Sequence, residues 1–327
     1  MSTTTARDVV RAVCDEVEQV IVGKRGAIET IVLGVLADGH VLLEDLPGLG
    51  KTLLARSLAK VLGLTFSRIQ FTPDLLPSDL TGAATLDPAT GQLAFRPGPV
   101  FTQVLLADEL NRTPPKTQAA LLEAMAEGQV TVDGQTRPLP RPFVVLATDN
   151  PIEYEGTYPL PEAQLDRFVA RVRLGYLSPG DEEELVRRSL AHRTDPVALR
   201  TVIGADQVLA LIAAMDAVDV HDDITAYIVR LVNATRGHPG AEVGASPRGS
   251  LALTRMARGH ALLSGRDFVV PEDVKAVAVA SLGHRIGVKP ELWVRRLTGD
   301  DIVIQVLDEV ATPPTRPVAP AVVAERR

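Results

Sequence analysis

The sequence is poor in cysteine, in long apolar runs and in targeting signals. Cys14 is the one cysteine among 327 residues, so no intramolecular disulfide can form, and we expect a reducing, cytoplasmic location. No apolar run approaches the roughly 18 residues that a membrane-spanning helix needs. The start, MSTTTARDVV, lacks the basic and then apolar pattern of a signal peptide. We therefore expect no membrane span.

Basic and aromatic residues are scarcer than is typical of proteins that bind nucleic acid, so the composition argues weakly against that class of partner. The chain has 34 Lys and Arg against 41 Asp and Glu, a net charge of −7, and 4% aromatic residues. Its six histidines show no metal-ligand spacing. What the chain does have is 46% hydrophobic and 23% charged residues, which is typical of a folded globular protein, and length for about two domains.

Short apolar runs predict an α/β domain over residues 1–177. Five of them, with helical patterns between, have the length of buried strands: 40–43, 65–71, 104–107, 143–147 and 168–174. The last alternates apolar and polar residues, which favours an edge strand. Inserted hairpins are expected near 85–95 and 129–139, where Asp133-Gly134 is a strong turn signal. We expect a five-stranded parallel sheet.

A second, smaller and all-helical domain is predicted over residues 178–311. Ser178 is a plausible helix cap, Pro179 suits the first helical position, and acidic residues follow in the first turn. The pattern stays mostly helical to about residue 285. The tail 312–327 is rich in proline and alanine, and we expect it to be disordered.

The strongest motif lies between the first predicted strand and the helix that follows it, and it predicts a phosphate-binding loop. Glycines allow a tight turn whose N–H groups surround phosphate oxygens, Lys51 would reach the β- and γ-phosphates, and Thr52 would hold Mg²⁺. Asp45 stands where the strict pattern has glycine, and an ordinary glycine turn before a helix is the alternative. The candidate nucleotide-binding residues are Pro47, Gly48, Leu49, Gly50, Lys51, Thr52 and Leu53.

Two carboxylates, Asp108 and Glu109, follow the buried run 104–107. A parallel strand presents them at the carboxyl edge of the sheet, where ligands bind in open α/β sheets. Asp108 suits Mg²⁺ through water, and Glu109 suits polarising an attacking water. A solvated strand end is the alternative, which the spacing from the glycine-rich loop disfavours.

Three further polar residues have both a functional and an ordinary interpretation. Asn150 could hydrogen-bond the attacking water or the γ-phosphate, or could form an Asx turn before Pro151. Arg167 could complement charge in a phosphoryl-transfer transition state, or could be a surface residue. Arg248 could lie over phosphates from the lid side, or could simply follow a helix cap at Ser246.

Taken together, these segments resemble the MoxR family of AAA+ ATPases. The matching stretches are LLEDLPGLGKTLLARSLA, RIQFTPDLLPSDLTG, ADELNRTPPKTQAALLEAMAEGQV, NPIEYEGTYPLPEAQLDRF and GASPRGSLAL, within residues 42–253. The resemblance implies a P-loop NTPase domain followed by an α-helical lid. It also makes Asn150 similar to sensor 1, Arg167 to an arginine finger acting on a neighbouring subunit, and Arg248 to sensor 2. Arg112 is an alternative candidate for the arginine finger.

The same resemblance assigns the remaining features. Val22 and Gly23 fall where the family contacts adenine, and the hairpins resemble the helix-2 insert and the pre-sensor hairpin. Asp149 stands where the family more often has glutamine. The family implies a homo-oligomeric ring, usually a hexamer, that binds ATP and Mg²⁺ between subunits. It also implies chaperone-like maturation or remodelling of protein complexes, often with clients that carry vWA-type domains.

Two other functions remain open from the residues alone. A nucleic-acid-dependent motor is disfavoured by the net charge and the few aromatic residues, although Arg137 and Arg141 flank one hairpin. A nucleotide switch that does not hydrolyse is disfavoured because Lys51, Asp108 and Glu109 are all present.

Overall fold

The computed structural model describes residues 3–86, 92–150, 157–191 and 198–313 and shows a sheet-containing part followed by a helical part. The strands, in chain order, are β1 (His40–Glu44), β2 (Phe66–Gln70), β3 (Gly82–Leu86), β4 (Leu93–Pro97), β5 (Val104–Asp108), β6 (Gln129–Val132), β7 (Gln135–Pro138), β8 (Val144–Asp149), β9 (Phe168–Val172), β10 (Ala241–Val243) and β11 (Gly287–Val288). The helices are α1 (Thr3–Glu18), α2 (Arg25–Leu36), α3 (Lys51–Val61), α4 (Pro77–Thr81), α5 (Pro115–Glu127), α6 (Glu162–Leu165), α7 (Pro179–Ala191), α8 (Ala205–Asp216), α9 (Asp222–Gly237), α10 (Pro247–Leu263), α11 (Pro271–Leu282) and α12 (Gly299–Glu309).

The main sheet has five parallel strands in the order β2-β5-β8-β1-β9, which confirms the predicted sheet and the edge position of β9. The central strands are apolar because helices cover both faces of the sheet. The register pairs Gln70 with Asp108 and Glu44 with Asp149. Polar side chains that follow β1, β5 and β8 therefore meet at one edge.

Two apolar clusters bury the two faces of this sheet. One face packs against α4 and α5, with Leu121 and Leu122 fully buried. On the other face, α1 to α3 form a cluster that continues without a break into α8 to α12. Cys14 packs in that cluster, at 0% exposure. The helical part is thus joined to the sheet by a shared core.

Two antiparallel strand pairs lie outside the main sheet, at the positions where hairpins are expected. β6 pairs with β7 across Asp133 and Gly134, which both have positive φ. β3 pairs with β4, while the expected turn at 87–91 lies outside the described residues. The guanidinium of Arg137 lies 4.0 Å from the centre of the Phe95 ring, so the two hairpins contact each other.

The C-terminal part is helical, with one feature that the sequence analysis did not predict. β10 and β11 form a short antiparallel pair. They are too short to give an alternating pattern. Ser178 accepts a hydrogen bond from the Asp181 N–H at 3.2 Å, as a cap at the start of α7 should. The tail expected to be disordered lies outside the described residues from 314 onward, and the division at 177/178 stays a prediction.

Among the described residues, no helix combines the length and apolar character needed to cross a membrane.

Candidate active site

The glycine-rich loop joins the carboxyl end of β1 to the start of α3. Gly48 and Gly50 have φ of +82° and +86°, a conformation that only glycine adopts without strain. Gly50 is the residue before α3, so the helix begins at Lys51 with its unpaired N–H groups facing the loop. This geometry produces an anion-binding helix start.

Asp45, the departure from the strict loop pattern, has a structural role. Its Oδ2 accepts hydrogen bonds from the N–H groups of Leu174 and Gly175 at 2.5 and 2.8 Å, and its Oδ1 accepts one from Leu46 N–H at 3.0 Å. A glycine at this position could make none of these bonds. The carboxylate therefore fastens the start of the loop to the segment that follows β9.

The Lys51 ammonium lies inside the loop. Its Nζ donates to the carbonyl oxygens of Asp45 at 2.5 Å and Leu46 at 3.2 Å. Burial lowers the pKa of Lys51, and the neighbouring carboxylates oppose that change. The side chain is held where phosphate oxygens would approach the loop.

A cavity of about 420 Å³ joins the loop to the carboxyl edge of the sheet. It brings together most of the residues that the sequence predicts for nucleotide and magnesium. Its lining residues are Pro47, Gly48, Gly50, Lys51, Thr52, Leu53, Arg68, Asp108, Glu109, Thr148 and Asn150. Leu49 belongs to the loop without being among these residues.

The magnesium candidates Thr52 and Asp108 share this cavity. The Asp108 Oδ1 accepts a hydrogen bond from the Thr148 hydroxyl at 2.7 Å, and Oδ2 pairs with Arg68 at 2.7 Å. Hydroxyl and carboxylate oxygens suit Mg²⁺, which keeps several waters and takes other ligands from substrate phosphates. No cluster of three His, Cys, Asp or Glu within the described parts of the chain could hold a metal by itself. The donor set fits an ion shared with a nucleotide.

Glu109 adopts a strained backbone conformation for a residue other than glycine, with φ of +57°. Its Oε2 accepts a hydrogen bond from Gln70 Nε2 at 2.6 Å and pairs with Arg112 Nε at 3.2 Å. Its N–H donates to the Thr148 hydroxyl at 2.8 Å. These contacts hold the carboxylate in the lining of the cavity, where it can face an incoming water.

Sequence reasoning missed Arg68 and Gln70. Both lie on β2, where they read as the polar half of an alternating strand. The register that sets Gln70 beside Asp108 is the signal that identifies them, and this register exists only in the folded sheet.

Asn150 is buried at 4% exposure and lines both this cavity and a second cavity of about 410 Å³. Asp149 and Glu44 lie in the second cavity, together with Arg171 and His284. Burial, and then the nearby charge of Glu44, raise the pKa of Asp149 to about 6. At the end of β8, Thr148 therefore lines the first cavity, Asp149 lines the second, and Asn150 lines both.

Arg167 and Arg248 lie at the opposite end of the sheet. Both line a cavity of about 300 Å³ together with His40, the first residue of β1. The glycine-rich loop follows the last residue of β1, about 16 Å away at 3.3 Å per strand residue. Arg248 is therefore not above the loop of its own chain, where a closing lid would place it. The packing of α10 against α2 and β9 determines this position.

The two arginines have no charged partner among the described residues, although Asp166 is adjacent. That carboxylate pairs with Arg285 and accepts a hydrogen bond from the Ser246 hydroxyl at 2.8 Å. The Arg167 Nε is buried without a hydrogen-bond partner. Arg112, in contrast, pairs with Glu109 of its own chain. The Arg167 end of the sheet can therefore accept an anion.

Val22 is buried, and Gly23 lies against the first turn of α7. Gly23 has φ of +68°, and the Asp181 carboxylate packs where its Cβ would be. Lys24 Nζ donates to the Tyr176 carbonyl at 2.8 Å. These residues are not among those that line the loop cavity.

Comparison with known proteins agrees with this architecture. Residues 40–170 match the family described as ATPase family associated with various cellular activities (AAA), and residues 233–305 match the AAA lid domain. The chain is 42% identical to Chaperone MoxR1 of Mycobacterium tuberculosis, over 91% of this chain and 81% of that protein. It is 48% identical to the uncharacterized protein YeaC of Bacillus subtilis, over 92% and 94% of the two chains. A crystal structure of a proposed ATPase from Cytophaga hutchinsonii superposes with a TM-score of 0.89 at 40% identity, covering 95% of this chain and 97% of that one.

Proposed function

The chain belongs to the MoxR family of AAA+ ATPases, and from this premise we propose that it hydrolyses ATP with Mg²⁺ in a ring, usually of six subunits. The observation that carries the proposal is the loop cavity, in which Lys51, Asp108 and Glu109 face the same space. An ordinary glycine turn would not collect these groups.

Each group in the cavity has a distinct role in the proposed reaction. The loop N–H groups and Lys51 bind the phosphates, while Thr52 and Asp108 would hold the magnesium ion, directly and through water. The ion would neutralise charge that develops on the phosphate oxygens. Glu109 orients and polarises the attacking water, and Asn150 hydrogen-bonds that water or the γ-phosphate.

A ring would bring the arginines of one subunit to the ATP that is bound by the next subunit. Arg167 and Arg248 lie at the end of the sheet away from their own loop, so each can reach only the ATP of a neighbouring subunit. This arrangement favours Arg167 over Arg112 as the arginine finger, because Arg112 is engaged by its own Glu109. Arg248 would then act between subunits rather than as part of a lid that closes on its own chain.

We propose that the energy of hydrolysis drives chaperone-like remodelling or maturation of cytoplasmic protein complexes, including clients with vWA-type domains. A relative that carries the name chaperone supports this role. The two arginines that flank one hairpin are both engaged within the chain, which disfavours the nucleic-acid alternative: Arg137 stacks on Phe95, and Arg141 pairs with Asp38 at 3.2 Å. The contacting hairpins are suited to transmit movement to a client.

Glu109→Gln tests the proposed chemistry. We expect ATP turnover to fall by at least roughly 10²-fold, the usual contribution of a general base, while ATP affinity stays close to wild type. Turnover is measured as phosphate release and affinity by calorimetry. Glu127→Gln, an exposed substitution at the end of α5, is the control and should keep wild-type turnover. If Glu109→Gln hydrolysed ATP at the wild-type rate, Glu109 would have no role in polarising the attacking water.

The same variant tests the client. Loaded with ATP in native extract, it should retain a discrete protein complex that the Lys51→Ala variant, which cannot bind the phosphates, does not retain. Nuclease-sensitive nucleic acid without a stable protein partner would favour the motor instead. A wild-type chain that binds ATP without turnover would favour the switch.

A further inference from the structure

We propose that Arg255 is a third arginine that binds the phosphates of the ATP held by a neighbouring copy of this chain. The inference rests on the proposed function, because it deepens the ring site formed by Arg167 and Arg248. Arg255 lies on α10 and lines the same cavity as those two arginines.

The spacing along α10 places this arginine on the face that bears Arg248. The two residues are seven positions apart, which is two helical turns, so they project from one side of the helix. Leu251, between them on that face, is 63% exposed, a large exposed fraction for a leucine. In the part of the chain that the structure describes, this face of α10 is exposed at Leu251, and it borders the arginine end of the sheet.

The positive charge of the cavity that Arg255 lines indicates that its ligand is an anion. Arg167, Arg248 and Arg255 make no side-chain hydrogen bond or ion pair with any described residue. The two acidic residues that line the cavity, Asp38 and Asp166, are paired with other arginines. Three guanidinium groups without counter-charge repel one another in a partly enclosed space. A polyanion relieves this repulsion, and planar guanidinium groups match phosphate oxygens.

The arrangement of the ring identifies which polyanion. In the proposed ring, Arg167 and Arg248, which lie at the end of the sheet opposite to the loop, meet the loop cavity of a neighbouring subunit. The anion found there is the triphosphate of ATP. Arg255 belongs to the same cavity and would contact the same triphosphate.

Kinetics of Arg255→Ala separate binding from chemistry. Loss of one charge-assisted hydrogen bond predicts a KM for ATP raised roughly tenfold, with kcat changed by less than about threefold. Arg255→Lys keeps the charge but loses the forked pair of guanidinium donors. Its KM for ATP should lie between those of the wild type and Arg255→Ala. Arg11→Ala removes an exposed arginine on α1 that lines none of these cavities, and it should match wild type. A wild-type KM in Arg255→Ala would overturn the assignment.

Mixed rings test whether the contact crosses between subunits. Lys51→Ala cannot hold ATP but carries an intact Arg255, while Arg255→Ala keeps an intact loop. When the two are mixed, ATP in Arg255→Ala subunits faces an intact arginine, and KM should return toward the wild-type value. A KM that stays raised in the mixture, with rings verified by sedimentation, would overturn the assignment between subunits.

The readouts separate this inference from the function on which it rests. Wild-type chain with no ATP turnover would overturn the proposed function and this inference together. Wild-type turnover that requires Glu109, with a KM insensitive to Arg255, would overturn this inference alone.

Discussion

Three carboxylates at the carboxyl edge of the sheet have different surroundings, and these decide what each can do. Asp45 accepts backbone N–H groups, and Asp108 is held by Arg68 and the Thr148 hydroxyl. Asp149 has a buried Oδ1 without a hydrogen-bond partner and lies near Glu44. Asp45 therefore has a structural role, and Asp108 is suited to bind a metal ion. Ionisation of Asp149 lowers the free energy of unfolding.

Asp149→Asn should stabilise the chain at neutral pH. The pKa of Asp149 is raised from 3.8 to about 6, so protons bind the folded state more tightly than the unfolded state. The cost of ionising this group therefore grows as pH rises from about 4 to 6 and stays constant above. We expect asparagine to raise the free energy of unfolding by about 2 to 3 kcal/mol at pH 8. Urea denaturation without nucleotide measures this gain.

The pH profile supplies the control for Asp149→Asn. The gain should shrink as pH falls toward 4, because aspartic acid and asparagine are then both neutral. Asp74, which is fully exposed, offers a matched comparison, and Asp74→Asn should give no such gain at pH 8. An Asp149→Asn gain that is absent at pH 8, or that is equal at pH 4.5 and pH 8, would contradict this account.

At the scale of elements, the glycine-rich loop depends on contacts distant in the chain. Asp45 precedes the loop, yet its partners are the N–H groups of Leu174 and Gly175, beyond β9. Strand order explains this contact, since β1 and β9 are neighbours at the edge of the sheet. The loop is thus positioned both by α3 and by the segment that leads to α7.

Asp45→Ala should destabilise the chain and weaken ATP binding together. It leaves three partly or wholly buried N–H groups, those of Leu46, Leu174 and Gly175, without their charged acceptor, a loss of about 2 to 3 kcal/mol. The loop would also lose its attachment near Lys51, so ATP affinity should fall. Thermal unfolding and ATP titration measure the two effects.

Asp45→Asn is the matched comparison, because it keeps an acceptor oxygen and the size of the side chain. We expect a smaller loss of stability than in the alanine variant, because the acceptor is then uncharged. If Asp45→Ala unfolded at the wild-type temperature and bound ATP as wild type does, the attachment would have no energetic importance.

The whole molecule is organised by a core that the sheet and the helical part share. Asp300 at the start of α12 pairs with Arg171 and Arg173 of the sheet part, each at 2.6 Å. Arg285 pairs with Asp166, and it also donates to the Phe168 carbonyl at 2.6 Å. These contacts hold α12 and the segment around Arg285 against β9, on which α10 also packs. The loop and the arginines consequently lie at opposite ends of one body.

ATP turnover per chain should fall when the protein is diluted. In the proposed ring, Arg167 acts as an arginine finger on the ATP of a neighbouring subunit, and such a finger contributes about 10³- to 10⁵-fold in rate. We expect turnover per chain to fall more than about tenfold once rings dissociate. Phosphate release across a dilution series, with sedimentation at each concentration, measures this dependence. If turnover per chain stayed constant down to concentrations at which only single chains are present, the proposal that two subunits share each ATP site would be wrong.

Several parts of this structure follow from local sequence. The five strands could be predicted because each is a short apolar run, and the loop because Gly48, Gly50 and Lys51 lie between a strand and a helix. Asp108 and Glu109 follow a buried strand and could be predicted for the same reason. The β10–β11 pair could not, since two or three residues carry no readable period.

Sequence alone determined the phosphate-binding loop, the carboxylate pair and the order of the two parts, because each depends on residues close together in the chain. Tertiary structure decided what depends on strand order and helix packing. The register of β2 with β5 brings Gln70 to Glu109 and Arg68 to Asp108. The packing of α10 on β9 brings Arg248 to Arg167 and away from its own loop. Contacts between distant segments have no local pattern, so folding alone brings these side chains together.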